Sequence, residues 1–385
     1  MTDLLWQPNP DRIERSNLRR FIHHVRTQVD GQVNNYPALY DFSIKAPEKF
    51  WTAVWDFCGI RASGEREPVL VDGAQMPGAR FFPQVTLNFA ENLLRFRDER
   101  TALAFRSEVG HARELSYAEL YDQVSLLAQA LRNAGIGVGD RVAGLVPNIP
   151  DTVIAMLATT SLGAVWSSCS PDFGIDGVVD RFGQIEPKVL FTADAYVYGG
   201  KTHDCLAKVA SIQQRLPSVQ QLIVLPYLDQ NPDLTGLQHA QLLADFTRDY
   251  QPTSIAFVRL PWSQPLYILY SSGTTGVPKC IVHGAGGTLI QHLKELVLHT
   301  DVKREDRLFY YTTCGWMMWN WLVSGLAVGA TVCLFDGSPF YPDGAVLWNL
   351  VDELGISIFG TSAKYLSAIE KAGIVPADSH KLLNL

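Results

Sequence analysis

The sequence has no closely spaced cysteines. Its six stand apart at positions 58, 169, 205, 280, 314 and 333, with no CxxC pair, and no HExxH occurs. That spacing suggests neither a disulfide framework nor a zinc site. An apolar leader is missing too: MTDLLWQPNPDRIERSNLRR carries charge and proline where a secretory signal needs an apolar run. A reducing cytoplasm is the expected setting. Basic excess is absent, since 32 lysines and arginines face 39 acidic residues, a formal net charge of −7. This argues against a nonspecific nucleic-acid binder. Charge is scarce overall, at 18% of the 385 residues against 47% hydrophobic. Such a chain is globular and long enough for two or three cores. It shows no repeat at a fixed period and no low-complexity tract.

One run lacks charge altogether: LFYYTTCGWMMWNWLVSGLAVGATVCLF, from Leu308 to Phe335. Its length alone would admit a membrane span. Gly315, Asn320, Ser324, Gly325 and Gly329 interrupt it, and it divides better into three pieces. RLFYYTT reads as a strand, WMMWNWLVSGLA as a buried helix stopped by Gly329, and ATVCLFD as a second strand. A buried parallel β-α-β unit is uncharged because none of it meets water.

What is present is an alternation of strands and helices. SYAELYDQVSLLAQALRNAG opens with a capping box, Ser116 and Glu119, and carries an apolar stripe of Leu120, Val124, Leu127 and Leu131. GDRVAGLVP, AVWSSCS, KVLFTAD and VQQLIVLPYL read as strands separated by helices. A polar connection near 229–265 precedes LYILYS, TLIQHLKELVLH, the uncharged unit, GAVLWNLVDELG, SIFGTS and AKYLSAIEKAG. The expected fold class is α/β, with two mainly parallel sheets flanked by helices, near 101–255 and 256–385. Residues 1–100 form a helical N-terminal extension. Within it APEKFWTAVWDFCGI has Pro47 at its entry, one stripe of Phe50, Val54 and Phe57, and a second of Trp51 and Trp55.

The strand LYILY runs into SSGTTGVPK. A glycine-rich turn after a strand presents successive backbone N–H groups that can hold an anion. Gly273 and Gly276 remove side chains from the approach. Ser271, Ser272, Thr274 and Thr275 add rotatable donors, and Lys279 adds a point charge. The set suits a polyphosphate. It is not the G-x-x-x-x-G-K-[ST] loop, because only two residues separate the glycines.

YSSGTTGVPK resembles the phosphate-binding signature of the adenylate-forming acyl-CoA synthetase superfamily. PEKFWTAVWDFCGI, FFPQVTLNFAENLL, GDRVAGLVPNIPD and LGAVWSSCSPDFG resemble further landmarks of that family, in its order. KCIVHGAGGTLIQHLKE, YYTTCGWMMWNWLVSGLAVGATVCLFDGSPFYP and FGTSAKYL are most similar to the branch that activates acetoacetate. The resemblance implies an incomplete AMP-binding domain over 101–385, preceded by a segment like the acetyl-CoA synthetase N-terminus. It implies acetoacetate, ATP and coenzyme A as substrates, with Mg²⁺, and acetoacetyl-CoA, AMP and pyrophosphate as products. The nucleophiles come from the substrates, and most of the catalysis is positioning and charge stabilisation.

By the same resemblance, Ser271, Ser272, Gly273, Thr274, Thr275, Gly276 and Lys279 bind the ATP phosphates. Trp316, Met317 and Met318, following Gly315, line the acyl pocket; Trp319 and Trp321 are expected mostly in the core. Lys201, after TADAYVYGG, is a candidate coenzyme A contact or a solvated surface lysine, with Tyr198 where relatives carry a second basic residue. His283 is either near the substrate or a satisfied core histidine. Cys280 and Cys314 lie beside the motifs as ordinary thiols or as nucleophiles. No metal-ligating residue is assigned.

Family members continue well past SHKLLNL, which ends at Leu385. The resemblance places the adenosine pocket and the lysine that promotes adenylation beyond Leu385, so no catalytic residue is assigned here. The expectation is an N-terminal portion that is inactive alone, with a separately encoded C-terminal half as candidate partner and an unpaired edge on the second sheet. Two alternatives stay open: a portion of another short-chain (acetyl or propionyl) acyl-CoA synthetase, and a noncatalytic remnant acting as a binding module.

Overall fold

The structure is a computed structural model that describes residues 6–271 and 276–385. Two sheets carry the fold. The larger has seven strands in the order Ala240–Leu242, Gln221–Leu225, Val189–Ala193, Arg141–Leu145, Val165–Cys169, Pro265–Tyr270, Cys280–Gly284. The smaller has five, ordered Ile358–Gly360, Arg307–Tyr310, Thr331–Asp336, Thr101–Ser107, Ala112–Ser116. Each sheet is parallel except for its last pair, which is antiparallel.

The sheets do not divide near residue 255 as the sequence suggested. The hairpin 101–116 joins the later strands, and strands 265–284 join the earlier sheet. Strand periodicity says which faces are buried but not which neighbour supplies the edge. Thr101–Ser107 illustrates this: Leu103 and Phe105 enter one core while Ala104 enters another. A strand buried on both faces fits any parallel sheet until packing selects its partner. The connection near 229–265 also holds more than loop, with the short strands Ala240–Leu242 and Leu260–Pro261 and the helix Leu243–Thr247.

Alternation of side chains along both sheets sets the layers. Val142, Phe191, Ile223, Tyr267, Val332 and Leu334 point into one large core shared by both sheets. Ala143, Leu190, Leu222 and Ile268 line a second core on the far face of the larger sheet. Phe309, Cys333 and Phe335 line a third beyond the smaller sheet.

The helices start and stop where local chemistry directs. Ser116 Oγ accepts from the Glu119 N–H at 3.1 Å, and the Glu119 carboxylate accepts from the Ser116 N–H at 2.8 Å, so both orphan donors are used. Helix Pro47–Cys58 begins on proline and ends on Gly59 in the left-handed region, φ 63°. Its Trp55 stacks on Trp262, with ring centroids 5.6 Å apart. Trp262 in turn lies against helix Ala285–Lys294 so closely that a Cβ at Gly286 would stand 2.1 Å from its ring. The N-terminal extension thus braces the helix that borders the site.

The uncharged run resolves as strand Arg307–Tyr310, helix Met317–Val323, the 3-10 turn Ser324–Ala327 and strand Thr331–Asp336, with Gly329 at φ 89°. Among the described residues no helix is long and apolar enough to cross a membrane.

Candidate functional site

Two crevices open beside these strands. The first, of about 590 Å³, lies between helix Ala285–Lys294, the turn after it and the start of helix Met317–Val323. Met317, Met318 and Trp321 form an apolar wall; His283, Thr288, Gln291, His292 and Glu295 form a polar one. Trp316, the residue before the helix, is 63% exposed and does not line this cleft. Trp319 is fully buried, and its Nε1–H donates to Asn148 Oδ1 at 2.9 Å. Trp321, expected in the core, packs against it half-buried and also borders the cleft.

The polar wall is mostly neutral. His283 rests against the Tyr267 ring at 5.1 Å, and partial burial lowers its pKa. His292 is buried, which pushes its pKa down to about 4, and the neighbouring His283 adds to the shift. Its Nδ1 contacts Ser324 Oγ at 2.8 Å. Burial opposes ionisation of Glu295, but bonds from Lys294 at 2.6 Å and Gln291 at 3.0 Å outweigh it and hold the carboxyl below its usual range.

The strand Cys280–Gly284 that carries His283 begins at the hydroxyl-rich loop. The loop's neck is closed by Ser271 N–H donating to the Lys279 carbonyl at 3.0 Å and Lys279 N–H donating to Ser271 Oγ at 3.2 Å. Gly276 takes φ 91°, and the Lys279 side chain is exposed. Ser272, Gly273, Thr274 and Thr275 lie outside the described residues. Burial raises the pKa of Cys280, and raises that of the fully buried Cys314 well above the usual thiol value. Neither is poised as a thiolate.

The second crevice, of about 370 Å³, lies where strands of both sheets end. Asn148, Asp172, Thr312 and Asp336 border it, closed on one side by the hairpin Ala195–Tyr198 and Lys201–Asp204. Open α/β sheets bind ligands at such carboxyl ends. Glu108, in the turn of the other sheet's hairpin, accepts from the N–H groups of Gly199 (3.0 Å), Gly200 and Ser338 (2.7 Å). Tyr196 stacks on His203 at 4.7 Å. Lys201 is exposed beside Tyr198 in this hairpin. Asp336 sits on the floor; burial raises its pKa to about 6, against bonds from the Asn148 N–H at 3.2 Å and the Tyr227 hydroxyl at 3.1 Å.

Sequence reasoning missed Asp336 and Asn148. The available signal was an acid at the end of the uncharged strand TVCLF, the usual place for ligand contacts in such sheets.

Residues 89–382 match the family model described as AMP-binding enzyme, and residues 36–93 match that of the acetyl-coenzyme A synthetase N-terminus. The chain belongs to the AMP-binding enzyme family. It is similar to an acetoacetyl-coenzyme A synthetase of Rhizobium meliloti, 51% identical over 99% of this chain and 58% of that protein. An acetoacetyl-CoA synthetase of Danio rerio is 45% identical over 99% and 58%. The solved acetoacetyl-CoA synthetase from Streptomyces lividans superposes with a TM-score of 0.94 at 42% identity, over 100% of this chain and 59% of that one. The chain, ending at Leu385, spans about 58% of the length of these curated relatives.

Proposed function

We propose that this chain is the N-terminal portion of an ATP-dependent acetoacetate–CoA ligase. In that reading residues 1–100 are an extension and 101–385 an incomplete AMP-binding domain. The observation that supports it is that strands Pro265–Tyr270 and Cys280–Gly284 carry both the neck of the hydroxyl-rich loop and His283, which lines the apolar cleft. Lys279 precedes strand Cys280–Gly284, and His283 lies three residues after Cys280, about 10 Å along the strand. The names of its relatives supply the acid.

The proposed roles follow from placement. Ser271, Gly276, Lys279 and the four undescribed loop residues hold the ATP phosphates. Met317 and Met318 contact the acyl chain, with Trp316 beside them. Lys201 reaches the coenzyme A phosphates from the hairpin at the second crevice. The carboxylate would attack the α-phosphate, releasing pyrophosphate, and the thiol of coenzyme A would then displace AMP. Mg²⁺ would neutralise phosphate charge. Among the described residues no cluster of three or more His, Cys, Asp or Glu side chains forms a metal site, so no step is derived through the ion.

The chain should be inactive alone, because no residue up to Leu385 is proposed to promote adenylation. The lysine with that role would belong to the polypeptide corresponding to the remainder of its relatives, which is the proposed partner. Incubated with acetoacetate and ATP, the chain should release no pyrophosphate above background. It should still bind pyrophosphate weakly, and Lys279→Ala should weaken that binding roughly ten- to a hundredfold, the worth of one charge-assisted contact. Turnover by the isolated chain, or equal pyrophosphate affinity in the mutant, would count against this reading.

A further inference from the structure

Glu108 ties together three parts of the chain that are far apart in sequence. It stands in the turn between strands Thr101–Ser107 and Ala112–Ser116 of the smaller sheet. Its carboxylate accepts from the N–H groups of Gly199 at 3.0 Å, of Gly200, and of Ser338 at 2.7 Å. These bonds span 91, 92 and 230 residues, so they are not the closure of a local turn. Gly199 and Gly200 form the tip of the hairpin Ala195–Tyr198 and Lys201–Asp204. Ser338 comes two residues after Asp336, on the floor of the second crevice.

The backbone is shaped for this contact. Gly199 and Gly200 take φ 61° and 76° in succession, and two successive N–H groups in such a turn make an anion-binding concavity. The anion seated in it is Glu108. Gly200 is held from its other side as well, since a Cβ there would stand 2.6 Å from the Tyr341 ring. At the floor, a Cβ on Gly337 would stand 2.4 Å from that of Glu108. The hairpin gives Tyr196, Val197, Tyr198 and His203 to one wall of the crevice, while Asp336 and Gly337 belong to its floor. One carboxylate therefore sets the spacing of wall and floor.

We propose that Glu108 is a positioning residue, which fixes the hairpin tip against the smaller sheet and so holds Lys201 in place for the phosphates of coenzyme A. This rests on the reading of Lys201 as a coenzyme A contact. Lys201 follows Gly200 directly, and pairs across the hairpin with Tyr198. Anchoring the Gly200 N–H therefore anchors the backbone from which the lysine extends. A cation on a fixed tip has less freedom to lose when a ligand binds than one on a loose tip, and that difference appears as affinity. Glu108 acts through the hairpin and not on the ligand. Its charge is taken up by three N–H groups, and a carboxylate in contact with a phosphate would repel it.

Ligand-observed NMR titrations of the 385-residue chain with coenzyme A test this, with pyrophosphate titrated in parallel to report on the hydroxyl-rich loop. Lys201→Ala should weaken coenzyme A binding roughly tenfold, the worth of one charge-assisted contact. Glu108→Gln should weaken it about three- to tenfold, because the amide nitrogen cannot accept from the hairpin's N–H groups. The double variant should bind no more weakly than Lys201→Ala alone, since a clamp that acts through Lys201 then has nothing to position. Gly200→Ala drives a Cβ into Tyr341 and displaces the tip without altering either charge. It should match Glu108→Gln, and it decides alone should Glu108→Gln fail to fold in a thermal melt. Pyrophosphate affinity should be the same in every variant. A merely structural role would lower the melting temperature and leave coenzyme A affinity unchanged. A role as a bare charge would make Glu108→Gln bind more tightly. Either outcome, losses that add in the double variant, or a parallel loss of pyrophosphate affinity overturns the proposal while the Lys201 reading stands. If coenzyme A does not bind the parent chain, or binds Lys201→Ala equally well, the Lys201 reading fails and takes the proposal with it.

Discussion

The crevice between the sheets buries a carboxyl, Asp336; the methionine-walled cleft buries an imidazole, His292. Both environments favour the neutral form, and the two pKa values move in opposite directions, up to about 6 for the acid and down to about 4 for the base. The supports differ as well. Asp336 receives bonds from the Asn148 backbone N–H and the Tyr227 hydroxyl, which partly offset the cost of ionising it. Among the described residues His292 has only the Ser324 hydroxyl on one nitrogen. A strand end that meets several donors can tolerate charge. A helix face packed against methionine and tryptophan holds its polar group uncharged.

Trp319 joins the two regions, and breaking it should have the largest effect. Its helix borders the methionine-walled cleft while its Nε1–H donates to Asn148 at the other crevice. Trp319→Ala should cost about 3–5 kcal/mol of stability in urea unfolding, as for other large-to-small core changes. Trp319→Phe restores most of the packing but not the bond, and should lose less. Equal losses in both variants would mean that packing alone matters and that the link to Asn148 carries nothing.

The opposite pKa shifts give the next test. For Asp336, raised from 3.8, the folded state holds its proton more tightly than the unfolded state. Its contribution is full below about pH 4 and is lost as pH rises through about 6. For His292, lowered from 6.5, the contribution is full above pH 6.5 and is lost as pH falls toward about 4. Moving a pKa by one is worth about 1.4 kcal/mol, so each contribution comes to about 3 kcal/mol. Between pH 4 and 6 the two slopes oppose one another. Urea midpoints at pH 4, 5, 6 and 7 should show Asp336→Asn gaining stability relative to the parent as pH rises through that window. His292→Phe should gain relative to the parent as pH falls. Mutant curves parallel to the parent's would remove these groups from the pH response. Glu108 faces Asp336, and His283 and Glu295 face His292, so each mutant curve is compared with the parent and not with a flat baseline.

The smallest effect concerns the apolar wall. In an enzyme completed with the proposed C-terminal half, Met318→Ala should change the ratio of kcat/KM between acetoacetate and longer acids by roughly tenfold, since one methylene in such a pocket is worth about 1–3 kcal/mol. Met318 is half-buried at the cleft, so stability should fall by less than the about 2–5 kcal/mol of a core methionine. A large loss of stability with an unchanged acid ratio would return Met318 to the core.

Local chemistry made much of the fold legible. The capping box at Ser116 and proline at the entry of helix Pro47–Cys58 each act within a few residues, and each stands where the pattern predicted. So do the strand, helix and strand within the uncharged run. Less was legible at the site. Met317 and Met318 were chosen from the sequence and do border a cleft, but the buried histidine and the glutamine opposite them were not chosen, and Trp316 stands outside the lining. A residue's own neighbours in sequence do not reveal what faces it across a cavity.

What the sequence by itself determined was the set of elements, their mainly parallel character and the family, because periodicity, caps and a contiguous loop signature are local properties. The tertiary structure alone decided that the hairpin 101–116 completes the later sheet while strands 265–284 complete the earlier one. It alone placed Asp336 beside Asn148, 188 residues away in the chain, and His292 beside Ser324, 32 residues away. Those pairings depend on which buried surfaces fit together at close-packed density, and a change of pKa follows only once that fit has excluded water.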